Sequence, residues 1–183
     1  MPTYAVFLRG VNVGGIRIAM PDLRRVLTDA GFHNVSTLLS SGNVVLDASM
    51  PDASTVKKDV EAALRTGFDY DAWVIVKTPG QVAEIVDGYP FTTPDDGVAR
   101  HAYAILTTSA ETVREAVAAC PEPSPEERFK GVGDVLYWDI PRGNTLDSKL
   151  ARQLGRVRYK PLATTRNLNT MRKVLARCEP AGS

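Results

Sequence analysis

The sequence is poor in cysteine, histidine and aromatic residues. Its two cysteines, Cys120 and Cys178, form no CxxC pair, which excludes a disulfide framework and favours a reducing compartment. The only histidines are His33 and His101, and with two distant cysteines they offer no spacing typical of a zinc site. We therefore expect neither a bound metal nor a cofactor.

Long apolar runs are also absent. No stretch approaches the roughly 18 residues that a membrane-spanning helix needs, and the first residues lack the pattern of a secretory signal. We expect a cytoplasmic protein without a membrane partner. The chain of 183 residues is 44% hydrophobic and 23% charged, which is typical of a globular protein that buries a sizeable core.

The net charge of +1 hides an uneven distribution. Residues 142–177 contain ten Lys or Arg and one acid, Asp147, for a net charge of +9, whereas residues 1–141 carry −7. This asymmetry favours an anionic partner for the C-terminal part. The alternative is that the basic segment packs against the acidic remainder and is neutralised there.

Alternating β-prone and amphipathic segments predict a β-α-β-β-α-β order in residues 3–77. This order is the ferredoxin-like split βαβ arrangement, in which the first and third strands lie antiparallel side by side. The end of the first strand, at Arg9, should then lie near the start of the third, at Asn43. The glycine-rich loop after Arg9 and the turn of residues 40–43 should meet at one rim of the sheet.

The second half, residues 78–177, shows a β-α-β-β-α order that echoes the first half and is followed by a last helix. We predict an α/β (α+β) fold of duplicated ferredoxin-like units, with mainly antiparallel sheets and helices on one face. Residues 178–183 form a tail.

The loop of residues 10–15 (GVNVGG) is the first candidate site. It is neither a P-loop nor GxGxxG, but successive glycines such as Gly14 and Gly15 can turn backbone N–H groups toward an anion. Arg9 adds a fork-shaped donor, and Asn12, Ser41 and Asn43 are expected at the same rim. The alternative is a tight strand-to-helix connection in which Gly14 or Gly15 is needed only because the backbone requires a positive φ there.

The second candidate site is the polar run of residues 164–170 (TTRNLNT) before the last helix. Thr165 or Asn167 is expected to cap that helix, and N–H groups at a helix start attract anions. Arg166 would act as an anion clamp beside Asn167. A well-capped amphipathic helix with a solvated basic face is the alternative.

These motifs resemble a known bacterial family, domain of unknown function 1697. The resemblance rests on residues 7–15 (FLRGVNVGG), 41–45 (SGNVV) and 164–170 (TTRNLNT), and it spans residues 3–177. It implies duplicated ferredoxin-like units, and it implies no activity. No GxSxG elbow or catalytic triad is visible, so whether the protein is an enzyme stays open.

The leading functional hypothesis is binding, with or without turnover, of a phosphate-bearing ligand such as a nucleotide or nucleic acid. Nucleic acid is the weaker variant, because the aromatic share is only 7% and no RNP-type strand is present. The alternative is a non-catalytic module that docks a protein partner or forms a homodimer through a sheet edge.

Overall fold

The computed structural model describes residues 1–12, 16–69, 71–120, 122–124, 126–145 and 147–179. These residues form two four-stranded antiparallel sheets and six α-helices. The fold divides into two compact units, residues 1–84 with 172–183, and residues 85–171. Every helix in the described part is too short or too polar to span a bilayer.

The first unit contains the predicted β-α-β-β-α-β order. Its elements are β1 (Thr3–Leu8), α1 (Met20–Asp29), β2 (His33–Leu38), β3 (Asn43–Asp47), α2 (Ala53–Phe68) and β4 (Val74–Lys77). The strand order β2-β3-β1-β4 is that of the ferredoxin-like arrangement. The predicted antiparallel pairing of β1 with β3 is confirmed, with Phe7 opposite Asn43.

Local sequence signals explain where the helices begin. Pro21 lies in the first turn of α1, where its missing N–H is not needed. Asp52 caps α2 by accepting hydrogen bonds from the N–H groups of Ser54 and Thr55. These bonds hold the pKa of Asp52 well below its usual range.

The helices α1 and α2 cover one face of the first sheet. Alternate strand residues such as Val6, Leu46 and Val74 pack with Leu27 and Val60 from the helices in one buried cluster. This confirms the expected packing of α1 and α2 against one face of the sheet.

The second unit repeats this topology. Its elements follow α3 (Pro79–Asp87) and are β5 (Arg100–Thr107), α4 (Ala110–Ala118), β6 (Arg128–Val132), β7 (Val135–Pro141), α5 (Lys149–Leu154), a 3-10 helix (Val157–Tyr159) and β8 (Ala163–Asn167). The order β6-β7-β5-β8 matches that of the first sheet, strand for strand. Helix α6 (Leu168–Cys178) follows β8.

Strand β8 differs from the sequence-based prediction, in which residues 164–167 are a polar approach to the last helix. The structure pairs β8 antiparallel with β5, with Arg166 opposite Ala104. The polar residues conceal the strand, because it has no apolar alternation and is stabilised by pairing with a strand about 60 residues earlier. Its presence completes the second β-α-β-β-α-β unit.

A buried ion cluster lies on the second sheet. The carboxylate of Asp139 on β7 accepts hydrogen bonds from Arg100 Nε, from Arg128 Nη2 at 2.8 Å and from the Tyr89 hydroxyl at 2.9 Å. The Arg100 and Asp139 side chains are only 6% and 7% exposed. Burial acts to raise the pKa of Asp139, but the three donors outweigh it and hold the pKa below the usual value.

We expect Asp139→Asn to destabilise the second unit by about 3–5 kcal/mol, because it leaves two guanidinium groups without their carboxylate. The lowered native pKa means that the wild-type contribution is present above the unfolded pKa of about 4 and is lost as the pH falls below it. Urea unfolding should be followed by Trp138 fluorescence in a Trp73→Phe background, since Trp138 is buried in the second unit.

The exposed Asp95→Asn is the matched control and should change stability by less than about 0.5 kcal/mol. Equal stability of Asp139→Asn and the control would contradict the assigned role of the cluster.

Candidate functional site

The glycine-rich loop and the turn before β3 meet at one rim of the first sheet, as predicted. The N–H of Leu8 donates to the carbonyl of Gly42 at 2.8 Å, directly beside the start of the loop. The turn approaches β1 so closely that a Cβ at Gly42 would lie 2.8 Å from Leu8 Cβ. Gly42 also has a φ of +74°, so both space and backbone conformation require glycine there.

Asn12 joins the loop to the turn. Its Nδ2 donates to the carbonyls of Ile18 at 3.0 Å and Ser40 at 2.7 Å, and its Oδ1 accepts from the N–H of Ile18. The backbone φ of Asn12 is +58°, a conformation that Asn adopts more readily than most residues. Both amide hydrogens are therefore engaged within the protein, and Asn12 positions the rim.

Asn43 holds the turn itself. It is fully buried, and its Nδ2 donates to the Leu38 carbonyl at 2.9 Å and to the Ser41 hydroxyl at 3.0 Å. The Ser41 oxygen is thus an acceptor here, on a half-buried residue. The amide of Asn43 closes the hairpin and does not face solvent.

Two arginines flank the loop. Arg9 is half-buried, and this burial lowers the pKa of its guanidinium. Arg17 is exposed. Gly14 and Gly15, the predicted anion-facing glycines, lie outside the described residues.

Arg166 and Asn167 belong to the second unit, whereas Arg9, Asn12, Ser41 and Asn43 belong to the first. Arg166 is buried on β8, and its Nη1 donates to Thr164 Oγ1 at 2.8 Å and to the Thr165 carbonyl at 2.9 Å. Burial lowers the pKa of Arg166 to about 10, so the guanidinium stays protonated at neutral pH. Asn167 Oδ1 accepts from the Asn169 N–H at 2.9 Å, which makes Asn167 the cap of α6.

The basic segment of residues 142–177 is exposed. Nine of its ten Lys and Arg are exposed, and only Arg166 is buried. Six of the nine lie close together in the chain: Arg142, Lys149, Arg152, Arg156, Arg158 and Lys160. None of these six forms an ion pair with an acidic side chain in the part of the chain that the structure describes.

The predicted site residue Arg166 is the one cation of this segment that is buried. The apolar spacing around α5 indicates which of its cations are exposed. Leu150 and Leu154 recur at i and i+4 and are buried, so Lys149 and Arg152 fall on the opposite, exposed face.

The two histidines lie in different units. His33 is exposed, and the His101 ring lies 5.5 Å from that of Tyr103. Among the described residues, no group of three or more His, Cys, Asp or Glu could hold a metal ion.

We expect Asn12→Ala to lower the free energy of unfolding of the first unit by about 1–3 kcal/mol, because three hydrogen bonds are lost and Ala disfavours positive φ. Asn12→Gly loses the same bonds but tolerates the φ, so its effect should be smaller by about 1 kcal/mol. Denaturant unfolding monitored by Trp73 fluorescence would measure both. A wild-type stability for Asn12→Ala would show that the rim does not depend on this side chain.

Comparison with known proteins gives one similar solved structure and one matching family. Its fold is similar to "The structure of conserved bacterial protein SP0830 from Streptococcus pneumoniae", with a TM-score of 0.75 and 20% identity over 97% of this chain and 99% of that one. A search of curated proteins found no match. Residues 1–137 match the family described as "Protein of unknown function (DUF1697)", and the chain therefore belongs to that family.

Proposed function

We propose that this protein binds a phosphate-bearing ligand through the basic segment of residues 142–160, and that nucleic acid is the ligand class that fits best. The observation that supports the proposal is the set of six exposed cations without an ion pair to a described acid. Exposed cations that lack acidic partners keep their field for an incoming anion.

Local structure orients these cations. Ser148 caps α5 by accepting from the Ala151 N–H at 3.0 Å, and the buried face of the helix anchors it on the unit. The 3-10 helix places Tyr159 in the core. The exposed Arg158 lies over the Tyr159 ring, 4.6 Å from its centroid, and the next residue, Lys160, is also exposed. The cations are thus attached to an ordered segment, which reduces the entropy lost on binding.

The number of cations favours a polymer. A single nucleotide offers one to three phosphates, whereas a nucleic acid strand offers a phosphate to each cation along the segment. The aromatic pair Tyr103 and Trp138 stacks within the core cluster of the second unit, with ring centroids 5.1 Å apart, and leaves neither ring as a platform for bases. Contacts to the backbone without strong sequence preference are therefore proposed.

The rim of the first unit is proposed as a second anion contact. Arg9, Arg17 and Ser41 supply its side chains, while Asn12 and Asn43 hold the two loops in place through the hydrogen bonds described above. The contributions of Gly14, Gly15, Arg166 and Asn167 stay predictions. A reducing, nucleic-acid-rich compartment such as the cytoplasm suits this function and the two free thiols.

Fluorescence anisotropy with labelled single- and double-stranded oligonucleotides tests the proposal. We expect binding whose logarithm falls linearly with the logarithm of the salt concentration. Arg156→Glu/Lys160→Glu should weaken binding by at least about tenfold and reduce the salt slope by roughly 1.4 on single strands, about 0.7 for each lost phosphate contact.

The control is Arg24→Glu/Lys58→Glu, which makes the same charge change at exposed positions of the first unit. If both variants lose the same amount of oligonucleotide affinity, the loss follows from the change in net charge alone, which contradicts a site at residues 142–160. If free nucleotides displace the labelled oligonucleotide as strongly as unlabelled oligonucleotides do, the ligand is a mononucleotide and not a nucleic acid. The effect of Arg9→Ala on oligonucleotide binding measures the contribution of the rim of the first unit.

An alternative function is self-association through β6, an edge strand of the second sheet. Its residues Lys130, Gly131 and Val132 are exposed, and Val132 is 49% exposed although it is apolar. A second copy could pair with this edge and extend the sheet. Multi-angle light scattering should then show a dimer that Val132→Asp converts to a monomer, because a charge on an edge strand disfavours pairing. A wild-type monomer at high concentration excludes this function.

A further inference from the structure

The first unit contains a cavity of about 450 Å³, with both polar and apolar lining residues, that none of the features above explains. It lies between one face of the sheet and the end of α6, and its lining includes Thr3, Asn34, Ser36, Asp47, Arg177 and Glu179. A volume in this range is typical of sites for small molecules.

An irregularity in β2 shapes the sheet side of this cavity. The pairing of β2 with β3 shifts register between His33 and Ser36, and Asn34 within the shift has a φ of +48°. The bulge brings Asn34 Nδ2 within 2.7 Å of Asp47 Oδ2. Bulges of this kind redirect side chains and are frequent beside functional sites.

Two neutral side chains donate hydrogen bonds to the Asp47 carboxylate. Thr3 Oγ1 donates to Oδ1 at 2.7 Å, and Asn34 donates to Oδ2, so each carboxylate oxygen keeps a lone pair. Asp47 forms no ion pair with any residue that the structure describes. Burial acts to raise the pKa of Asp47, but the two hydrogen bonds, together with the charges of the N-terminus and His33, outweigh it and hold the pKa below its usual value.

Ser36 provides a second polar group at the cavity. Its hydroxyl oxygen is buried and has no hydrogen-bond partner among the described residues. Ser36 pairs with Val45 on β3, and both residues line the cavity. A buried polar atom left without a partner is unfavourable by about 1–3 kcal/mol, and most such atoms in proteins are satisfied by a partner or a ligand.

The helix side of the cavity carries one positive and one negative side chain, Arg177 and Glu179. Arg177 is exposed at the end of α6 and forms no ion pair with a described acid. Next to it, Cys178 is buried, and burial raises the pKa of its thiol to about 11, so the thiol is neutral. Cys178 and Val45 give the cavity an apolar lining between a carboxylate and a guanidinium.

We propose that this cavity binds a free amino acid or a closely related small zwitterion. The ligand's ammonium group is recognised by the Asp47 carboxylate with the Ser36 hydroxyl, and its carboxylate by Arg177. Charge-assisted hydrogen bonds of both signs within one small cavity select a molecule that carries both charges. This site is independent of the phosphate-binding function proposed above.

Isothermal titration of the full chain with the proteinogenic amino acids tests this inference. For an amino acid that binds, the N-acetyl derivative, which lacks the ammonium group, should show no binding. The α-amide, which lacks the carboxylate, should bind about tenfold more weakly. An amide that binds as tightly as the free amino acid would overturn the role of Arg177 and indicate a peptide N-terminus as the source of the ammonium group.

Variants separate the two ends of the site. Asp47→Asn should abolish binding, and the exposed Asp59→Asn on α2 is the matched control that should leave it unchanged. Arg177→Ala should weaken the free amino acid to the level of its amide while leaving the amide unaffected. Arg177 is exposed, so this variant tests the site even where Asp47→Asn impairs folding. No binding of any amino acid by the wild-type protein would overturn the inference.

Discussion

The pairing of β1 with both β3 and β4 is the constraint on which the first unit depends. Because β1 and β3 run antiparallel, with Phe7 opposite Asn43, the end of one strand and the start of the other must lie at the same rim. The loop after Leu8 and the turn before Asn43 then meet whatever their sequences are. Asn12 and Gly42 satisfy this contact, one through side-chain hydrogen bonds and the other by having no Cβ. The pairing of β5 with β7 and β8 plays the same part in the second unit.

Buried polar groups give each unit its particular arrangement. In the first, Asn43 closes the hairpin, and in the second, Asp139 gathers two arginines and a tyrosine on one carboxylate. Each arrangement leaves its donors and acceptors satisfied, as burial requires. Among the described residues, Ser36 is the exception, because its buried hydroxyl oxygen has no hydrogen-bond partner. The cavity beside Ser36 is therefore a candidate ligand site, whereas the surroundings of Asn43 and Asp139 are not.

The charge asymmetry of the chain takes on a definite meaning once exposure is known. The sequence left two outcomes open for residues 142–177, neutralisation against acidic residues or presentation to solvent. The structure exposes nine of the ten cations, and the six between 142 and 160 have no described acidic partner within ion-pair distance. Arg166 differs because β8 places it at a buried position of the sheet. The same residue type thus serves the surface in one place and the interior in another.

The sequence by itself determined the family, the β-α-β-β-α-β order of the first half, its partial echo in the second half, and the meeting of two loops at one rim. These follow from local periodicity, capping and the handedness of short connections, which are written in neighbouring residues. Tertiary structure alone decided that residues 163–167 form a strand, that Asp139 meets Arg100 and Arg128, and that Ser36 and Asp47 line one cavity with Arg177. Those outcomes depend on residues that are distant in the chain, and a polar side chain carries no sequence signal for the partner it finds.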